Sequence, residues 1–422
     1  MLISNLYPPK GLGGYEIAAF DLASGLSLRG HEVRVLTSPM DQVQPASAGD
    51  VHRVLGLKTH GPTPDTTLSV ARFLHYEAAV SQVDNSLILR QQLREFEPDH
   101  VMVFNLVGLG GIGLIDVLRR TQTSWSMNLG DTVPLGLTAG IDPGVLDVFG
   151  VDPLNYFNDV PFISVSSTLT DEIESSGVRL SRDLLFIPRG IDLTGVTHAR
   201  RPDDGITRFV FVGSLHENKG VGLLLEAVAM AREHYPRFQV DVFGRGEDAK
   251  YKTLANQLGL DGIVFFHGFV DRQRILAALS AADAFLFPTS EREPLGQAPL
   301  QAAAMGCVPV LTEQSGAAEW LSDGAHCIKI RRTAEALATA MISILSGETD
   351  VAALGHRAQR YMSRSLSYDR YLDAVEAFIE RLSSRPAISS APAISAGADE
   401  IVALDARAQT VLHTVLRTEG NP

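Results

Sequence analysis

The sequence is short of cysteine and of positive charge, and it has no long apolar run. Cys307 and Cys327 are its two cysteines, and they form no CxxC pair. Two such thiols cannot frame a disulfide scaffold, so both are expected to be reduced and buried, as in a cytoplasmic protein. No stretch of about 18 apolar residues occurs, which predicts no transmembrane segment. The opening MLISNLYPPKGLGG carries no charged region, no long apolar stretch and no small-residue cleavage site, so no secretory signal is expected there. Lys and Arg total 36 against 49 Asp and Glu, a net charge of 36 − 49 = −13. Such acidity argues against nucleic acid as a partner, but leaves room for one phosphorylated small molecule in a local site. The 37 Gly and 21 Pro follow no period, which excludes collagen-like and low-complexity chains.

What remains is ordinary globular composition, 45% hydrophobic and 20% charged over 422 residues. That length suggests two or three domains. Both halves alternate strand and helix signals. In the first, LISN reads as a short strand, PPKGLGG as a loop, residues 15–29 as a helix stopped by Gly30, and HEVRVLTS as a strand. PDHVMVFN, SWSMNLGD and PFISVSS read as later strands of the same sheet. LISN is short for a sheet centre, where five or six residues are usual.

The second half alternates more clearly. RFVFVGSL, FQVDVFGRG, IVFFHGF, AFLFPTS, CVPVLTE and CIKI read as strands, with helical patterns between them. Continuous apolar strands such as FVFV suit a parallel sheet buried on both faces. The fold class is therefore α/β, with two Rossmann-like doubly wound lobes. Residues 1–190 form the first lobe and 206–365 the second. A helix over 366–384 crosses back to the first. Residues 385–422 hold a Pro/Ala/Ser-rich linker and an amphipathic terminal helix that docks on the body or on a partner. Its face is read as Val402 with Ala406 or Leu404, then Val411, Leu412 and Val415. LKTHGPTPDTT reads as a mobile loop.

Three junctions carry chemistry. KGLGGY, with Gly13 and Gly14, opens a helix whose free N–H groups suit an anion; a tight turn explains the same glycines. In FVGSLHENKG, Lys219 enters just before a helix and can act as a point charge for phosphate, or be a solvated surface lysine. TSEREPLGQAPLQAAAMG follows a strand at the edge where α/β sheets bind ligands. There Glu293, the open amides of Gly296, Gln297 and Ala298, and the amide of Gln301 converge, which suits sugar hydroxyls and phosphate oxygens; an ordinary capped helix is the plainer reading. KGLGGY does not have the GxGxxG spacing, so it does not specifically indicate a nicotinamide cofactor, and FVGSLHENKG is not a Walker loop, since the GxxxxGK[ST] string is absent.

With IPRGID, VGSLHENKG, VFGRGED, FFHGFV, AFLFPTSEREPLGQAPLQAAAMGCVPV and SGAAEWLSDG in that order, the second half resembles the donor lobe of the retaining family-four (group 1) glycosyltransferases of GT-B fold. YPPKGLGGYE, GHEVRVLT and FISVSS resemble the acceptor lobe more faintly. The resemblance implies a hexosyltransferase-like enzyme that moves a sugar from a nucleoside-diphosphate sugar to a hydroxyl of a small-molecule or glycan acceptor, with retention, without metal or resident cofactor. It implies Lys219 on the diphosphate, Glu293 on the sugar hydroxyls, and the Gly296, Gln297 and Ala298 amides on sugar or diphosphate. Gly13 and Gly14 would meet the diphosphate, Gly244 and Arg245 the nucleotide cleft, and Gly268 to Val270 the base. Three positions depart from the family pattern. Gln301 replaces a glutamate that grips ribose, and Ser214 replaces an arginine, leaving Arg245 or Arg189 to supply its charge. Asn128 or Asp131 stands where a histidine is usual near the reacting centre. The first two losses also motivate a competing reading, a nucleotide-sugar-binding protein without transferase activity. A hydrolysing epimerase or a phosphorylase of the same fold is a third.

Overall fold

The computed structural model describes residues 1–9, 13–39, 50–58, 68–121, 123–193, 204–289, 292–384 and 397–419. The 59–67 part of the LKTHGPTPDTT loop, most of the Pro/Ala/Ser-rich linker and the inter-lobe stretch 194–203 lie outside them. The chain divides into two units. One comprises Met1–Ser164, Leu169–Ile187 and Leu372–Pro422; the other comprises Val165–Thr168 and Pro188–Tyr371.

The first unit holds seven strands among the described residues: β1 (Leu2–Ile3), β2 (Arg34–Thr37), β3 (Asp50–Arg53), β4 (Val101–Val103), β5 (Trp125–Leu129), β6 (Phe162–Ser164) and β7 (Leu184–Phe186). All pair in parallel, in the order β3-β2-β1-β4-β5-β6-β7. β1 is two residues long yet is an inner strand, fully buried between β2 and β4. The second unit holds β8 (Thr207–Val212), β9 (Phe238–Phe243), β10 (Val264–Gly268), β11 (Ala284–Phe287), β12 (Val308–Thr312) and β13 (Ile328–Ile330). They too are parallel, in the order β10-β9-β8-β11-β12-β13. Both units are doubly wound, as expected. Phe209, Phe211, Val240, Val242, Leu286 and Val310 make the second sheet's core, against helices Val221–His234 and Ala334–Leu345. Alternating large apolar side chains on both faces of β8 and β11 are what bury the sheet on both sides.

The first unit departs from the sequence reading. Helices Leu68–Ala79, Val83–Phe96, Gly111–Arg120, Val133–Thr138 and Pro143–Val148, and strands β3 and β7, stand where no element was expected. In the second unit helix Val351–Ser365 was likewise unread. PFISVSS is a strand only to Ser164, because a helix already begins at Ser167.

The terminal helix spans Ala398–Glu419 and packs on helices Pro143–Val148 and Val83–Phe96 of the first unit. Its buried face keeps Leu404 and Leu412 of the expected one and corrects Val402 and Ala406. Ile401, Leu404, Ala408 and Leu412 are buried, whereas Val402 is 47% exposed and Ala406 faces solvent. The i, i+3, i+7, i+11 spacing from Ile401 places these side chains on one stripe, which Val402 misses by one position. Buried Asp405 on that stripe accepts a hydrogen bond from the Tyr76 hydroxyl at 2.6 Å. Among the described residues no helix is long and apolar enough to cross a membrane.

Cys307 and Cys327 are both buried, and neither is in a disulfide. Burial pushes the Cys327 thiol up to about 12, so it stays protonated at neutral and mildly alkaline pH. Iodoacetamide at pH 8 is therefore expected to leave Cys327 unmodified in the folded chain and to alkylate it in urea, as read by peptide mass spectrometry.

Candidate donor site at the sheet switch point

In the second sheet the chain winds one way from β8 to β9 and β10, and the other way to β11, β12 and β13. The carboxyl ends of β8 and β11 are thus the switch point, the place where doubly wound sheets carry a ligand crevice. The two strongest sequence candidates lie on the two loops leaving these ends. Lys219 ends the single 3-10 turn Glu217–Lys219 after β8. Glu293 lies in the loop after β11. Its neighbours Ser290 and Glu291 are outside the described residues.

Contacts between the loops fix their spacing. Gly220 has φ +72°, and a Cβ there would lie 2.0 Å from the Pro288 carbonyl oxygen. Only glycine lets the Lys219 turn lie against the β11 loop. The buried Thr289 hydroxyl donates to the Asn218 carbonyl at 3.3 Å and lies 3.5 Å from Glu293 Oε2. Across this joint Lys219 Nζ donates to Glu293 Oε2, an ion pair between residues 74 apart in sequence. The lysine side chain is 24% exposed and the carboxylate 13%, so the pair is only partly shielded from water.

Gly296 is the N-cap of helix Gln297–Ala304, and no side chain caps it by a hydrogen bond. The first-turn amides of Gln297 and Ala298 have no acceptor within the helix. Gln301 follows one turn later, half-buried, on the same face as Gln297. Lys219, Glu293 and the open helix terminus thus gather at one crevice.

A second group lies along the adjoining strand ends. Gly213 N–H donates to the Phe243 carbonyl at 3.0 Å, Leu215 N–H to the Arg245 carbonyl at 3.0 Å, and Gly244 N–H to the Gly268 carbonyl at 2.9 Å. Ser214, Gly244, Arg245 and Gly268 are brought together in this way, with Val270 two residues on. The Arg245 guanidinium lies over the exposed Phe269 ring, 4.8 Å from its centroid. Arg189 is buried, next to Gly190, which abuts Tyr368 and Tyr371.

Sequence reasoning missed two residues here. Thr289 joins the loops, and Arg332 Nη2 donates to the Glu217 carbonyl at 3.1 Å. The arginine pair after the strand CIKI, at the ligand-binding edge, was the available signal for the latter.

In the first unit, Gly13 caps helix Gly14–Leu28, and the Glu16 carboxylate folds back on it: a Cβ on Gly13 would lie 2.6 Å from Glu16 Oε2. The Tyr15 hydroxyl donates to the Phe104 carbonyl at 3.0 Å and also to the Asn128 carbonyl, joining this helix start to β5. Asn128 is 1% exposed, and its Oδ1 has no hydrogen-bond partner among the described residues. Asp131 is exposed, and its Oδ1 accepts the Thr132 N–H at 2.8 Å.

Two parallel doubly wound units of this kind define the GT-B glycosyltransferase fold. Solved structures agree: sucrose-phosphate synthase from Thermosynechococcus elongatus superposes with TM-score 0.68 at 17% identity, covering 90% of this chain and 98% of that one. HepE from Anabaena in complex with UDP and glucose gives TM-score 0.62 at 16% identity, covering 90% and 98%. Residues 199–361 match the family profile of glycosyl transferases group 1. The glycogen synthase of Mycobacterium tuberculosis is 26% identical over 383 residues, 87% of this chain and 90% of that protein. The second unit is thus a group 1 glycosyltransferase domain, and the chain is a glycosyltransferase.

Proposed function

We propose that the chain transfers a sugar from a nucleoside-diphosphate sugar to an acceptor hydroxyl, with retention at the anomeric carbon, in the cytoplasm and without a resident metal or cofactor. The meeting of Lys219 and Glu293 beside an open helix terminus, at the switch point, carries this reading. It puts a cation and N–H donors where a diphosphate leaves, and a carboxylate where sugar hydroxyls lie. Lys219 neutralises the leaving diphosphate. Glu293 and the amides of Gly296, Gln297 and Ala298 hold the sugar. Ser214, Gly244, Arg245, Gly268 and Val270 follow the nucleoside along the strand ends, Gln301 bonds the ribose, and Arg189 adds charge. UDP in the HepE structure supports a nucleoside diphosphate as the leaving group.

In the first unit, Gly13 and Gly14 present amides, and Asn128 and Asp131 serve the acceptor. An amide can hydrogen-bond the acceptor hydroxyl but cannot take its proton. In this reading Asp131 orients the acceptor, and the proton goes to the departing diphosphate oxygen as the acceptor oxygen–carbon bond forms and the carbon–diphosphate bond breaks on the same face. Incubation of an α-configured nucleotide sugar with acceptor extract in EDTA tests this. The expected result is an α-linked product by NMR at a rate EDTA does not change. A β-linked product contradicts retention, and loss of activity in EDTA contradicts metal independence.

A further inference from the structure

FISVSS and SGAAEWLSDG have no role in the reaction as proposed so far, yet the second unit brings them together. Val165–Thr168 belongs to that unit. From helix Gly316–Trp320, the Glu319 carboxylate accepts the Ser167 and Thr168 N–H groups, each at 2.7 Å, and the Thr168 hydroxyl. The adjacent Trp320 Nε1 donates to the Val165 carbonyl at 2.8 Å. The four-residue segment is thereby fixed from both ends. Between them the Ser166 hydroxyl donates to the Pro294 carbonyl. On the other side the Gly316 N–H donates to the Glu293 carbonyl at 2.9 Å. A Cβ on Gly316 would lie 1.9 Å from the Pro294 oxygen, so the two backbones touch. Two successive carbonyls of the site loop, those of Glu293 and Pro294, are therefore held by groups that Glu319 and its helix place. Burial raises the Glu319 carboxyl, but the bonds from Thr168 and Ser167 outweigh it and hold the group below the usual glutamate range. It is an anion throughout the neutral range, when its three bonds are charge-assisted.

We propose that Glu319 is a positioning residue for Glu293: through Ser167, Thr168 and Ser166 it sets the Glu293 and Pro294 backbone, and with it the aim of the Glu293 carboxylate at the transferred sugar. This rests on Glu293 holding sugar hydroxyls, as proposed above. It makes a separable claim, because Lys219 sits on the other loop. Loss of Glu319 impairs recognition of the sugar and spares recognition of the diphosphate.

The test is calorimetric titration of wild type, Glu319→Ala, Glu319→Gln and Ser166→Ala with UDP, GDP and ADP, and with the glucose and mannose esters of whichever diphosphate binds. Glu319→Ala is expected to bind the diphosphate no weaker than wild type. Its affinity for the sugar ester should fall about tenfold, the worth of a charge-assisted hydrogen bond. Glu319→Gln keeps one acceptor oxygen and should be intermediate. Ser166→Ala removes one hydroxyl from a buried site without unpairing a charge, and should shift the same ratio in the same direction if Glu319→Ala does not fold. Equal losses for diphosphate and sugar ester, or no loss for either, overturn the inference alone. A wild type that binds none of the three diphosphates overturns the reading of the site and this inference with it.

Discussion

Lys219→Ala is expected to lower nucleotide-sugar turnover by about 100–1,000-fold, the usual result of removing one preorganised donor to developing charge. The argument is positional. Lys219 is held at the end of a turn whose carbonyls are anchored by Thr289 and Arg332 and whose following glycine abuts Pro288. Its ammonium therefore waits at the switch-point crevice without needing to be ordered by the substrate. Ser214 supplies no charge where relatives by resemblance carry an arginine, so more of the leaving-group stabilisation falls on Lys219. The fold should survive, because the side chain is half-buried on a loop and its partner Glu293 keeps access to water. Release of nucleoside diphosphate in the presence of acceptor extract measures the loss. A variant within about threefold of wild type would remove Lys219 from the mechanism.

Glu293→Gln is expected to separate binding from turnover. In the unliganded site the Glu293 carboxylate pairs with the Lys219 ammonium. A diphosphate must displace that carboxylate and then tolerate its negative charge nearby. The amide removes both obstacles, so the bare diphosphate should bind about fivefold tighter, as expected for removing one like charge at roughly 4 Å in water-rich surroundings. Turnover should fall by about 100-fold, since sugar hydroxyls lose a charged acceptor that orients them. Calorimetry for the diphosphate and product release for turnover read the two effects. Weaker diphosphate binding in Glu293→Gln would mean that the carboxylate supports the phosphate site instead of opposing it.

The second unit was far more legible in the sequence than the first. Its strands, FVFV and AFLF among them, are continuous apolar runs because both faces are covered. Its helix at Val221–His234 is one of those the pattern placed between the strands. One helix of the first unit is hidden because it buries polar groups. Val83–Phe96 turns Asn85, Ser86 and Gln92 inward alongside Leu89 and Leu93, so no clean apolar period marks it. Asn85 is buried to bond the Gly56 and Leu109 carbonyls, a demand set by distant backbone and invisible locally. The site follows the same rule. Lys219, Glu293 and the open helix terminus could be named from loop chemistry at strand ends. That Lys219 and Glu293 touch, that Thr289 and Arg332 brace the turn, and that Ser166 meets Pro294 depend on strand order, which a single chain does not spell out.

The central claim is that the crevice between β8 and β11 binds a nucleoside diphosphate through Lys219. Titration of wild type and Lys219→Ala with UDP, GDP and ADP, each against its nucleoside, tests it most directly. One diphosphate should bind wild type far more tightly than its nucleoside, and Lys219→Ala should lose about 10–100-fold of that affinity while binding the nucleoside as before. Equal affinity of wild type and variant for the diphosphate would contradict the account.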